Sequence, residues 1–110
     1  MYTIEKHGQV TIMQINIPFD YEISLTCKEK VYTLLKNPLI IIINKHNLDG
    51  SAIFHVLVQI ADMFEQEKQY LGFVLNEYNY SIFDNIYGQK LMRYFHTTQQ
   101  AINAADIFLK

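Results

Sequence analysis

The stretch Leu39-Ile40-Ile41-Ile42-Ile43-Asn44-Lys45-His46-Asn47-Leu48-Asp49-Gly50-Ser51-Ala52-Ile53 carries the turn on which the fold of this chain depends. Its first five residues are apolar without alternation, as expected of a central strand covered on both faces or flanked by other strands. A polar loop, Asn44 to Asp49, follows. From Ser51 to Lys68 the residues Ile53, Val56, Leu57, Ile60, Met63 and Phe64 fall on one helical stripe, so the loop leads from the sheet centre into an amphipathic helix. Asp49 stands where the N-cap of that helix belongs.

Upstream, Tyr2 to Lys6 reads as a short strand, His7-Gly8 as a turn and Val10 to Ile17 as a longer strand, together an opening hairpin. In the second strand Val10 and Ile12 point one way while Met13, Ile15 and Ile17 point the other. Either a bulge near Met13 or partial burial of both faces accounts for this. Pro18 and Asp20 break the strand. Glu22 to Lys36 then sets Ile23, Cys27, Val31, Leu34 and Leu35 at helical spacing, and Asn37-Pro38 ends the helix.

Downstream, Tyr70 to Leu75 is the next strand. Tyr80 to Arg93 carries a helical pattern through Ile82, Phe83, Ile86, Leu91 and Met92, interrupted near Gly88, and Tyr94-Phe95 suits a short last strand. Thr97 or Thr98 caps a final helix whose apolar face is Ala101, Ile102, Ala105, Phe108 and Leu109. The order β-β-α-β-α-β-α-(β)-α predicts an α/β fold: a mixed, mainly parallel sheet of four to five strands with an opening antiparallel hairpin, right-handed crossovers and about four helices.

A chain of 110 residues closes one hydrophobic core, so residues 1–110 are expected to form a single domain. Half the residues are apolar and 18% are charged, which excludes a disordered chain. The net charge of −2 and nine scattered Lys and Arg residues offer no attraction to phosphate backbones, so nucleic acid is not an expected partner. Cys27 is the only cysteine and lies inside an apolar pattern, as a reduced core thiol would, which fits a cytoplasmic location. The N-terminus has no apolar signal core and the longest apolar run is too short to span a bilayer, so neither secretion nor membrane insertion is expected.

The element order, with Leu48-Asp49-Gly50-Ser51-Ala52-Ile53 opening a helix after an isoleucine-rich strand, resembles the STAS domains (sulfate transporter and anti-sigma factor antagonist) of bacterial anti-sigma factor antagonists, over nearly the whole chain. The hallmark of that family is an apolar residue followed by Asp-Ser-Ser-Gly at the start of the second helix, its first serine being phosphorylated by a partner kinase. Leu48 and Asp49 match the first two positions, Gly50 falls on the phosphorylated serine, Ser51 on the second serine, and Ala52 replaces the glycine. Lys45-His46-Asn47 departs from the aspartate-leucine-serine signature at the end of the central strand. The resemblance implies a non-enzymatic signal-transduction module acting in transcription regulation. Its partner would be an anti-sigma factor or serine kinase, with a phosphatase reversing any phosphorylation.

Ser51 is the only hydroxyl in the turn and therefore the phosphorylation candidate; a phosphate there would sit beside unpaired helix N–H groups and alter a docked surface. The alternative is an ordinary first-turn serine, with Asp49 as cap and Gly50 supplying backbone freedom. Phe54, Val58 and Ala61 lie off the Ile53 stripe and form either a partner-facing strip or part of a wide buried stripe. Tyr78, in the Asn76 to Ser81 segment after the fourth strand, either offers amphipathic contact area or belongs to a plain polar loop. The partner-binding candidates are thus Asp49, Gly50, Ser51, Phe54, Val58 and Tyr78.

No metal site, cofactor or catalytic residue is expected. His7, His46, His55 and His96 are dispersed, and no Gly-rich phosphate loop, nucleophile elbow or carboxylate pair appears. Two other readings differ in class: an accessory subunit of a membrane transporter of the ABC or phospholipid-trafficking type, and a domain binding a nucleotide or lipid at the sheet end near Asn44, Asp49 and Asn76. The sequence is compatible with a monomer or a weak homodimer.

Overall fold

The computed structural model describes residues 1–86 and 92–110. Among these described residues nine elements follow in the expected order: β1 (Tyr2–His7), β2 (Val10–Ile15), α1 (Tyr21–Tyr32), β3 (Leu39–Ile43), α2 (Ser51–Gln66), β4 (Leu71–Leu75), α3 (Glu77–Ile86), β5 (Arg93–Phe95) and α4 (Thr98–Leu109). The strands lie in sequence order across one five-stranded sheet. β1 and β2 are antiparallel and every later neighbour is parallel.

That order decides where the helices go. Each crossover from β2 to β5 steps in one direction, and right-handed crossovers then deliver α1, α2 and α3 to the same face. Met13, Ile41 and Phe73 meet Cys27, Val31, Leu57, Ile60 and Phe83 there. Among the described residues α4 alone covers the other face, with Ala101, Ile102 and Ala105 over Ile40, Ile42 and Val74. β3 is therefore buried at all five positions, which is why its sequence does not alternate.

Of the two explanations for β2, burial of both faces is the one observed. Its pairing with β1 runs unbroken from Val10 to Ile15, so there is no bulge at Met13. α1 is shorter than its periodicity predicts. The Thr33 hydroxyl donates to the Lys30 carbonyl at 2.6 Å, and Leu34 N–H turns back to Val31 at 2.8 Å, closing the helix at Tyr32; Leu34 and Leu35 still pack on the core. Its start is fixed by Asp20, whose carboxylate accepts from Ile23 N–H at 2.8 Å.

α3 begins at Glu77 rather than Tyr80, because Asn76 provides a cap: its side-chain oxygen accepts the Asn79 N–H at 2.8 Å. Arg93, placed by the pattern at a helix end, is instead in β5; the interruption at Gly88 and the position of Leu91 lie outside the described residues. Thr97 caps α4 in a capping box with Gln100.

Candidate functional site

The loop between β3 and α2 sits at the end of the sheet where the parallel strands finish. Leu48 is fully buried beneath it, whereas residues 44–47, Asp49, Gly50 and Ser51 are exposed. One apolar side chain thus anchors a polar tip.

A second anchor is polar. Asn79, in the first turn of α3 and completely buried, accepts the Leu48 N–H at 2.7 Å and donates to the carbonyls of Ile43 at 3.2 Å and His46 at 3.0 Å. Asn76 adds bonds from its amide to the Asn44 carbonyl at 3.4 Å and the Asn47 side-chain oxygen at 3.1 Å. Loop backbone that would otherwise be buried without partners is satisfied by Asn79, and the exposed bonds of Asn76 tie the rim of the loop to the start of α3. Asn79 was missed from the sequence, where it is one more polar residue after a strand.

Gly50, not Asp49, is the N-cap of α2. Its φ of 99° and ψ of 136° lie in a region that glycine alone enters freely, and no side chain caps the helix. The Asp49 carboxylate therefore does not make the capping bond expected of it. The first turn of α2 carries no acidic residue either, so its N–H groups and the positive end of its dipole face an uncapped tip with the exposed Ser51 at its first position.

The other candidates divide. Tyr78 is 47% exposed on the first turn of α3, at the same end of the molecule, and belongs to a helix rather than to a loop. Phe54 is buried, with its ring edge-on to Phe83 at 5.5 Å, which removes it from any exposed strip. Val58 and Ala61 are half-buried against the same core. The wide buried stripe is the correct reading of α2, because that helix meets the sheet, α1 and α3 together.

Beside the tip is an open hollow of about 450 Å³ lined by Pro18, Phe19, Asp20, Tyr21, Asn47, Asp49 and Ile53, among others. Cys27 lies far inside, its Sγ 3.7 Å from Met13 Sδ, and burial pushes the thiol up to about 12, which leaves it inert. Among the described residues no three His, Cys, Asp or Glu side chains are grouped to hold a metal ion, and no helix is long and apolar enough to cross a membrane.

No family model matches the sequence, and no curated protein matches it. Solved structures do. An anti-sigma factor antagonist from Mycobacterium paratuberculosis superposes with a TM-score of 0.81 at 15% identity, covering 96% of this chain and 93% of the other. An anti-sigma-factor antagonist (STAS) domain protein from Planctomyces limnophilus gives 0.68 at 13%, over 96% and 97%. The Bacillus cell fate determinant SpoIIAA in its phosphorylated form gives 0.66 at 12%, over 94% and 98%. Identities this low bear on architecture, and the architecture is common to them all: this chain has the STAS fold.

Proposed function

We propose that residues 1–110 form a single non-enzymatic regulatory domain that binds another protein through the Leu48 to Ser51 corner, as an anti-sigma factor antagonist does. The observation that carries this reading is the corner itself: three consecutive exposed residues, Asp49, Gly50 and Ser51, on a loop gripped from below by Leu48 and Asn79. A preorganised tip loses little freedom on docking, so its contacts translate into affinity. Tyr78 on the neighbouring helix extends the surface with an amphipathic ring. The partner class is an anti-sigma factor or serine kinase, and the setting is the cytoplasm of a bacterium.

Phosphorylation of Ser51 is the regulatory half of the proposal. The uncapped start of α2 tolerates added negative charge, and a partner seated on the tip would be repelled or left desolvated by it. One structural neighbour, SpoIIAA, is known in a phosphorylated form.

Binding is tested by titrating the purified chain against a candidate anti-sigma factor kinase from the same organism. Asp49→Lys weakens the complex at least about tenfold, whereas Glu29→Lys on the exposed side of α1 leaves it unchanged. Equal effects at the two positions sink the reading. Incubation with ATP and the kinase, followed by mass spectrometry, tests Ser51 separately; an unmodified Ser51 removes the switch and leaves the binding.

The hollow beside the tip favours one further reading, a small nucleotide or lipid lodged against Phe19, Tyr21 and Ile53. A ligand specific to the folded state raises the melting temperature in a panel, and a flat panel ends this version. Asn44 and Asn76, expected near such a ligand, are bonded to one another, the Asn76 amide donating to the Asn44 carbonyl.

A further inference from the structure

The sheet has two unequal edges. β5 presents three residues, whereas β1 presents six, without proline and without a bulge, and no other strand lies beyond it among the described residues. Long, regular edges of this kind are templates for pairing.

The hydrogen bonds of the hairpin fix which groups are on offer. Asn16 N–H donates to the Met1 carbonyl at 2.9 Å, and Thr11 N–H to Pro38 on the β3 side at 2.9 Å. Odd-numbered residues of β1 therefore spend their backbone groups on β2, and Tyr2, Ile4 and Lys6 turn theirs outward. The side chains do not block the approach. Lys6 bends back to the Thr11 hydroxyl at 3.2 Å, and Ile4 is 39% exposed on the face shared with Met13.

We propose that this edge pairs with a second copy of the chain, antiparallel about a two-fold axis at Ile4, joining two sheets into one. The axis must stand perpendicular to the sheet, so each residue meets a counterpart on the same face and outward-facing groups meet outward-facing groups. With Ile4 on its own symmetry mate, Tyr2 bonds with Lys6 of the second copy and Lys6 with Tyr2. Three bonded pairs result, each exchanging two hydrogen bonds. Between them Thr3 faces Glu5, and the Tyr2 ring lies against the Lys6 stem.

Competing registers are worse. A shift of one step towards the turn sets Glu5 directly on Glu5 at the close spacing of about 4.5 Å, and leaves two bonded pairs. A shift the other way also leaves two. A dimer held mainly by backbone bonds over one strand is weak and concentration-dependent, and its two Asp49 tips point in opposite directions. This inference is independent of the function proposed above.

Sedimentation equilibrium of the full chain over a concentration series is the test, with amide exchange alongside. The wild type passes from monomer to dimer, and as it does so exchange slows at Tyr2, Ile4 and Lys6. Ile4→Pro, tolerated in the monomer because that N–H is unbonded, stays folded by circular dichroism and monomeric. Should it unfold, Ile4→Lys replaces it, a surface change that sets like charges on the axis. Thr3→Lys, facing Glu5, tightens the dimer by roughly three- to tenfold, and Thr3→Glu loosens it by a similar factor. A monomer at all concentrations, a dimer indifferent to Ile4, or Thr3 variants without opposite effects overturns the proposal.

Discussion

The backbone N–H of Leu48 donates to the side-chain oxygen of Asn79 at 2.7 Å, across 31 positions of sequence. With the two amide bonds of Asn79 to Ile43 and His46, it makes the start of α3 the brace of the β3–α2 loop.

Removing that brace orphans one buried donor and withdraws partners from two carbonyls. Asn79→Ala is expected to cost about 2–4 kcal/mol in urea unfolding, most of it from the orphaned Leu48 donor at about 1–3 kcal/mol, the carbonyls, each with a second lone pair, adding less. Amide exchange at Leu48 should accelerate before any global effect is seen. Asn79→Asp fares no better, because its second oxygen confronts two carbonyls; recovery of wild-type stability by Asp would argue against the geometry.

Gly50 is held at φ 99° with open space where a Cβ would stand. Gly50→Ala thus strains the backbone without a clash, and destabilises by about 1–3 kcal/mol. Gly50→Ser, which restores the serine that the STAS resemblance expects at this position, carries the same strain. Unchanged melting temperatures for both would show that the corner tolerates another backbone.

At Gly72 the constraint is space. An added Cβ would lie 2.7 Å from the Tyr70 hydroxyl and 3.2 Å from the Phe95 ring. The hydroxyl cannot swing away freely, since it donates to the Ala101 carbonyl at 2.9 Å and its ring lies 5.6 Å from Phe108. Gly72→Ala should cost about 1–3 kcal/mol, and distinctly less in a Tyr70→Phe background. Strictly additive losses would locate the strain elsewhere.

Alkaline pH should unfold the protein through three buried acids. Burial raises Cys27 from 9.0 to about 12, and Tyr70 from 10.0 to about 12 with Arg93 opposing; burial and then the Asp84 carboxylate raise Tyr94 from 10.0 to about 12. Raised acids favour the folded state while neutral in both states. Their contribution is complete below about pH 9 and is lost between there and pH 12, at up to about 1.4 kcal/mol per pH unit for each group. Cys27→Ala should flatten the first part of that decline, from pH 9 to 10, and an unaltered profile would refute the assignment.

Local chemistry was legible where it was sufficient. The unalternating Leu39 to Ile43 run, the α2 stripe and the cap at Thr97 could be read because each is determined by residues a few positions apart. Phe54 misled because the width of a buried stripe depends on how many neighbours a helix meets, and Phe83 is far away in sequence. Asp49 looked like a cap by type, but a glycine backbone took that position. Asn79 left no signal, since its partners lie 31 to 36 residues upstream and are all main chain.

That last property gives the tip unusual latitude. Because Asn79 reads amides and carbonyls, which every residue but proline supplies in full, the His46 side chain is not spelled out by the scaffold beneath it, and the Lys45 side chain meets that scaffold in an exposed bond to Asn16 Oδ1 at 3.3 Å. Their side chains can be rewritten while the platform that displays them stays the same.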